Sequence, residues 1–204
     1  MTRIFLIRHG QTVWNKELRY QGQSDVKLSN EGIEQAKNVA KRLKQEKLAA
    51  IYASDLQRAV CTADEIASLH GLEVQQIAGL REINFGAWEG MTYTEINKGW
   101  PEDMNGIFTR PDTVKIPGGE TFSVLKERAM NTIVNLIAKH PEENIAVVSH
   151  GVTIRTILCS VLGIPLSNVW GIRQDNTAVN IIDCYDENKL IVSLVNDAHH
   201  LSVI

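Results

Sequence analysis

Cysteine is scarce in this 204-residue chain: Cys61, Cys159 and Cys184 are widely spaced, odd in number and include no Cys-x-x-Cys pair. A disulfide framework is therefore unsupported, as is a zinc site, and the three read as small core residues in a reducing compartment. Positive charge is not in excess, with 21 Lys and Arg against 24 Asp and Glu and a formal net charge of -3. A sequence-independent grip on nucleic acid wants a basic face, so no nucleic-acid partner is expected. No stretch approaches the ~20 apolar residues of a membrane span, and the apolar run at the N-terminus is too short for a signal peptide. The expectation is a cytoplasmic protein with no membrane partner. Repeats, low-complexity tracts and dividing linkers are also missing, so residues 1–204 are expected to form one domain with a substantial core.

Against these absences stands Ile4-Phe5-Leu6-Ile7-Arg8-His9-Gly10-Gln11-Thr12. Its four apolar residues read as a strand buried on both faces, which belongs in the middle of a sheet with helices on either side. In such a sheet, ligands bind at the carboxyl ends of the strands, where Arg8 and His9 arrive. Arg8 offers a planar fork of donors suited to phosphate or carboxylate, and Gly10 lets backbone come close. Ordinary polar punctuation at a strand end serves equally well for this stretch in isolation.

A polar loop is expected from Trp14 to Leu28, then a helix capped by Ser29 with Ile33, Ala36, Ala40 and Leu43 facing inward. A short strand, Ala49 to Ala53, precedes Ser54-Asp55-Leu56-Gln57, which has the form of a capping box. The next helix would bury Leu56, Ala59, Val60, Ala63 and Ala67 and carry Arg58 in its first turn, where backbone N–H groups favour an anion. Leu80 to Gly90 fits no period and reads as a shaped loop. Residues 92–119 read as an excursion with some helix, placed over the sheet edge and the active site, and Trp100, Met104 and Phe108 either wall a leaving group or simply pack it down. A long amphipathic helix then runs to about Lys139.

Asn144 to Val148 is a second buried strand and ends in Ser149-His150-Gly151, before an apolar helix from Val152 to Leu162. Ala178 to Asp183 and Leu190 to Val195, separated by Asp186-Glu187-Asn188, read as an antiparallel hairpin closing the sheet. The adjacent His199 and His200 read as structural. A strand-end histidine is more often a hydrogen-bonding group than a catalyst, but here the construction occurs twice. If the two strands are neighbours, His9, His150, Arg8 and Arg58 meet at one rim, a cluster that a dianionic phosphoryl group would satisfy. There is no Walker loop, no Gly-x-Gly-x-x-Gly opening a helix and no cluster of Asp ligands for magnesium. Arginine and histidine would have to neutralise charge that a metal handles elsewhere.

Leu6-Ile7-Arg8-His9-Gly10-Gln11-Thr12 with Trp14-Asn15, then Ser54-Asp55-Leu56-Gln57-Arg58-Ala59, the Glu82 loop and Ser149-His150-Gly151 together resemble the histidine phosphatase superfamily, the phosphoglycerate mutase-like enzymes. The resemblance implies a three-layer α/β/α sandwich with a mostly parallel central sheet, no metal and no cofactor. It also implies a phosphohistidine mechanism on a small phosphorylated metabolite. His9 would be the nucleophile and Glu82 the proton donor and acceptor, while Arg8, Asn15, Gln21, Gly22, Arg58 and His150 would bind the substrate. Glu82 would need burial near an aromatic such as Trp88, or the phosphate's own charge, to begin protonated.

Phosphoglycerate mutases carry a longer basic insertion and usually a C-terminal tail. Here the excursion is short, its cations Lys98, Arg110 and Lys115 are scattered, and the sequence stops at Ile204 soon after the last strand. Water is thus the expected acceptor, and Leu80 to Gly90 is similar to the phosphatase branch, with α-ribazole and broad-specificity phosphatases left open. A mutase, or a phosphate-binding module without turnover, remains the alternative, and a homodimer is left open as well.

Overall fold

The apolar runs become the inner strands of one six-stranded sheet. The computed structural model describes residues 1–186 and 189–202. Along the chain lie β1 (Thr2–Arg8), α1 (Val13–Lys16), α2 (Asn30–Leu43), β2 (Leu48–Ala53), α3 (Gln57–His70) and β3 (Val74–Gln76). They are followed by α4 (Tyr93–Gly99), α5 (Pro101–Thr109), α6 (Phe122–Lys139), β4 (Asn144–Ser149), α7 (Gly151–Leu162), β5 (Val179–Asp186) and β6 (Lys189–Asp197).

The strand order is β3-β2-β4-β1-β5-β6. The first four are parallel, and β5 and β6 add an antiparallel edge. Alternate residues of the central strands face opposite layers, as a pleated backbone requires. Ile4, Leu6, Ile145 and Val147 pack with α6 (Ala129, Ile133, Leu136) and α7 (Ile154, Ile157, Leu158). Phe5, Ile7, Ala146 and Val148 pack instead with α2 (Val39, Ala40, Leu43) and α3 (Ala59, Ala63, Ile66). Each Val, Leu, Ile or Phe among them contributes roughly 1.5–3 kcal/mol on full burial. The α/β/α sandwich with a mixed, largely parallel sheet is the architecture that the resemblance implies.

Several local expectations are corrected. The capping box at Ser54 does not form, because α3 starts at Gln57 with Leu56 as its N-cap and no side-chain cap. Asp25 Oδ1 instead accepts from the Gln57 N–H at 2.8 Å, so a distant loop supplies the anion at that helix end. The polar loop contains a one-turn helix, α1, whose Thr12 cap and Asn15 form a capping box. Ile33 and Val60 are not in the core, whereas Val39 and Ile66 are buried beside the expected Ala36, Ala40, Leu43, Ala59, Ala63 and Ala67. Cys61 is exposed, whereas Cys159 and Cys184 are buried as expected. The hairpin strands are longer than expected, and Glu187 and Asn188 of the expected separator lie outside the described residues, as does Ile204. His199 and His200 lie in a 3-10 turn, and His200 Nε2 meets Thr177 Oγ1 at 3.1 Å, in keeping with a structural role. No helix among the described residues is long and apolar enough to cross a membrane.

The excursion forms α4 and α5 and has its own apolar cluster, with Ile96, Met104, Ile107 and Val114 packed on Phe122 and Leu125 of α6. Trp100 belongs to the periphery of that cluster, so it and Met104 pack the excursion down rather than wall a ligand. Phe108, 44 % exposed, turns to the pocket instead.

Candidate active site

Parallel pairing of β1 with β4 aligns Arg8 with Ser149, so the next residue on each strand, His9 and His150, leaves the sheet at the same level. Their ring centroids are 5.1 Å apart at an interplanar angle of 56°, and both rings are buried. Hydrogen bonding fixes opposite tautomers. His9 Nδ1 lies 2.7 Å from the carbonyl oxygen of Gly10, which can only accept, so Nδ1 carries the proton and Nε2 keeps its lone pair. His150 Nδ1 accepts from Arg58 Nε at 3.2 Å, which places the proton of the neutral ring on Nε2. That Nε2 is buried and has no partner among the described residues. Burial first, then Arg58 and Arg8, holds the His9 imidazole well below its ordinary pKa. Burial, Arg58, His9 and Arg8 do the same to His150. Both rings are therefore neutral at pH 7.

The two arginines of the rim are held by carbonyl oxygens, with no carboxylate partner among the described residues. Arg8 Nη1 donates to the Gln174 carbonyl at 2.7 Å, and its Nε is buried without a partner among the described residues. Arg58 Nη1 and Nη2 donate to the carbonyls of Ser24 and Gly22 at 2.8 and 2.7 Å. Burial lowers the pKa of each to about 10, leaving both charged at pH 7. Gly22 has a φ of +53°, a left-handed conformation that glycine adopts without strain, and this turns its carbonyl toward Arg58. Glu89 steadies the same loop by accepting from Gln23 N and Ser24 Oγ at 2.8 and 2.6 Å.

Asn15 Oδ1 accepts from the Thr12 N–H at 3.0 Å and from Asn176 Nδ2 at 3.4 Å, and lies 3.1 Å from Thr12 Oγ1. Its own amide N–H groups are left for the pocket that it lines. Gln21 is oriented in the same way, its Oε1 accepting from Thr12 Oγ1 at 2.8 Å.

Glu82 sits against the start of α7, where backbone donors are unsatisfied by the helix itself. Oε1 accepts from the N–H groups of Ile83 and Thr153 and lies 3.0 Å from Thr153 Oγ1. Among the described residues Oε2 accepts only from the Val152 N–H, at 3.0 Å, and so has room for a proton. The loop carrying Glu82 is clamped from behind by Arg128, which donates to the carbonyls of Gly79, Arg81 and Glu82 at 3.0, 2.8 and 2.9 Å while paired with Glu120 at 2.7 Å. Trp88, expected beside the Glu82 carboxyl, is buried in the apolar cluster under the excursion and does not line the pocket.

Seven of the eight residues singled out from the sequence, Arg8, His9, Asn15, Gln21, Gly22, Arg58 and Glu82, line one open pocket of about 520 Å³. His150 is buried behind them, against His9 and Arg58. The far wall is aromatic, with Tyr20, Phe85, Tyr93, Phe108 and Trp170, and it carries a further cation, Arg155. Arg155 was not anticipated, although the i, i+4 spacing from Gly151 puts both on one face of α7. Trp170 lies in a 3-10 segment, Leu166–Gly171, and had no local signal. Among the described residues no cluster of three His, Cys, Asp or Glu could hold a metal ion.

Comparison with known proteins gives this geometry its setting. The histidine phosphatase superfamily (branch 1) matches residues 4–197. Phosphoserine phosphatase 1 of Hydrogenobacter thermophilus is 35% identical over 199 residues, covering 98% of this chain and 94% of that protein. Among solved structures, Bacillus stearothermophilus YhfR superposes with a TM-score of 0.94 at 33% identity, over 98% of this chain and 100% of that one. The α-ribazole phosphatase from Shigella flexneri superposes with a TM-score of 0.87 at 28% identity, over 96% of each chain.

Proposed function

We propose, for a chain that belongs to the histidine phosphatase superfamily (branch 1), that His9 is the phosphoryl acceptor and Glu82 the proton donor and acceptor of a two-step hydrolysis. The protein is a phosphatase that acts on small phosphorylated metabolites without a metal. The observation that carries the residue roles is the opposed pair of tautomers. An unprotonated His9 Nε2 can attack phosphorus, whereas a protonated His150 Nε2 can only donate to a phosphoryl oxygen.

In the first step the dianionic phosphoryl group is held by Arg8, Arg58, His150 and the Asn15 amide, and His9 Nε2 forms the N–P bond in line as the ester P–O bond breaks. The Glu82 proton goes to the departing alkoxide, which leaves as the neutral alcohol. Water then attacks the phosphohistidine, Glu82 takes its proton, the N–P bond breaks, and inorganic phosphate leaves with His9 restored to its neutral tautomer. The cations supply electrostatic stabilisation that is already oriented before the reaction, which limits reorganisation in the transition state.

Water, rather than a second substrate, is the acceptor in this reading. Lys98, Arg110 and Lys115 of the excursion do not line the pocket, so they form no site for a second anionic substrate there. Release of inorganic phosphate from p-nitrophenyl phosphate tests the proposal. Turnover that His9→Ala removes supports it; wild-type protein that binds phosphate but releases none from any ester contradicts it.

A further inference from the structure

Resting on that reading of the phosphate site, we propose that Asn176 is a positioning residue of the reaction. It ties the main chain of His9 to the side chain of Asn15 and so turns the Asn15 amide N–H groups toward the phosphoryl oxygens. Asn176 does not itself line the pocket, so it acts through these two neighbours and not on the substrate.

Asn176 Nδ2 carries two protons and meets two acceptors. One is the His9 carbonyl oxygen at 3.0 Å, the other Asn15 Oδ1 at 3.4 Å. A backbone carbonyl oxygen can only accept, which fixes the Asn176 atom facing it as the amide nitrogen. That nitrogen then requires an oxygen at its second acceptor, and the Thr12 N–H, 3.0 Å from the same Asn15 Oδ1, requires it as well. Reversing the Asn15 amide would set its N–H groups against both donors and point Oδ1 at a phosphoryl dianion. Donors on two separate segments thus select the phosphate-binding orientation before any substrate arrives.

The segment that delivers Asn176, residues 174–177, is held from several sides. Its first residue, Gln174, gives a carbonyl to Arg8 Nη1 at 2.7 Å and pairs its side-chain amide reciprocally with that of Asn180 at 2.8 and 2.9 Å. Asn180 Nδ2 also donates to the Leu6 carbonyl at 3.0 Å, and both amides are buried. The Asp175 N–H donates to Asn196 Oδ1 at 2.7 Å. Thr177 closes the segment with a φ of +55°, a left-handed conformation unfavourable for a β-branched residue, and its N–H donates to the His9 carbonyl at 3.3 Å. Strain of this kind persists only where the surroundings over-determine it, and it concentrates where geometry matters to function. One short segment therefore supports Arg8, His9 and Asn15, and the Asn176 side chain spends both of its donors on the last two.

A double-mutant cycle reads the contact. Asn176→Ala should weaken binding of inorganic phosphate, measured by calorimetry, by about 3- to 10-fold, the range for one hydrogen bond. In an Asn15→Ala background no amide is left to orient, so the same substitution should change phosphate binding by less than about twofold. On p-nitrophenyl phosphate, kcat should fall by about 3- to 10-fold in both backgrounds, because the His9 carbonyl loses the same donor in each. Phosphate affinity that falls by the same factor with and without Asn15 would overturn the proposal, by making Asn176 a general support of its loop. An unchanged kcat in Asn176→Ala would overturn it too. Should Asn176→Ala fold poorly, the 15N-labelled wild-type protein supplies the reading: saturating phosphate should shift the side-chain amide resonances of Asn15 and Asn176 together, and an Asn176 signal that does not respond would contradict the coupling. Phosphate affinity needs no turnover, so a protein that hydrolyses no ester would strike the phosphatase reading beneath while the coupling of Asn15 to Asn176 stays measurable.

Discussion

His9 and His150 occupy equivalent places at the ends of neighbouring parallel strands, are equally buried and share the same arginines, yet their free nitrogens have opposite chemistry. A carbonyl at Nδ1 makes one ring a nucleophile at Nε2; a guanidinium N–H at Nδ1 makes the other a donor at Nε2. The partner of the nitrogen that does not react thus decides the role of the one that does. Burial alone would treat the two alike, because it keeps both rings neutral without choosing a tautomer.

The largest expected effect comes from removing the nucleophile. His9→Ala should lower kcat by about 10,000-fold or more while phosphate binding, measured by calorimetry, is partly retained because Arg8 and Arg58 remain. His150→Phe should keep a phosphohistidine detectable but lower kcat by about 100- to 1,000-fold, the usual cost of one oriented donor in the transition state. If the two variants behaved identically, the division of roles would be wrong.

A smaller effect is expected from Arg128→Met, which loosens the loop that places Glu82. Turnover should fall by about 10-fold or more for alkyl phosphates, whose poor leaving groups need a proton, and less for p-nitrophenyl phosphate. A purely structural role for Arg128 would lower both alike.

Acid should also expose the shared burial of the two rings. The unfolded chain takes up protons near pH 6.5, whereas the folded rings resist until well below it, so the unfolded state binds more protons as pH falls through that window. Stability is therefore present above about pH 6.5 and is lost on acidification, by at most about 1.4 kcal/mol per pH unit for each ring. His200, lowered to about 4 by burial, acts in the same sense. Inorganic phosphate should offset the loss, since a bound dianion favours protonated rings. Thermal denaturation at pH 7.5 and 5.5, with and without phosphate, measures both effects. The smallest expected change is none: EDTA should leave activity intact.

Much of the floor of the pocket was legible in the sequence because its residues sit where regular elements end. A buried apolar run announces its own terminus, so Arg8, His9 and His150 could be placed before their partners were known. Register between β1 and β4, which makes those ends meet, is a tertiary fact, though the repeated construction of buried strand, histidine and glycine pointed to it. The wall was less legible. Trp88, Trp100, Met104 and Phe108 are all aromatic or apolar in irregular segments, and nothing local distinguishes the three that pack inward from Phe108, which faces the pocket. The failure at Ser54 is of another kind: its side chain had the right chemistry for a cap, but Asp25 from a distant loop occupies that helix end. Arg155 was hidden because a charged residue on an apolar helix reads as a solvated exception until the pocket beside it is seen.

The nitrogen that carries the phosphoryl group is the most direct test of the account. Rapid acid-free quenching with a good substrate, followed by mass spectrometry and phosphorus NMR, should locate phosphate on Nε2 of His9. Phosphate found on His150, on Nδ1 of His9, or on neither ring during steady turnover would contradict it.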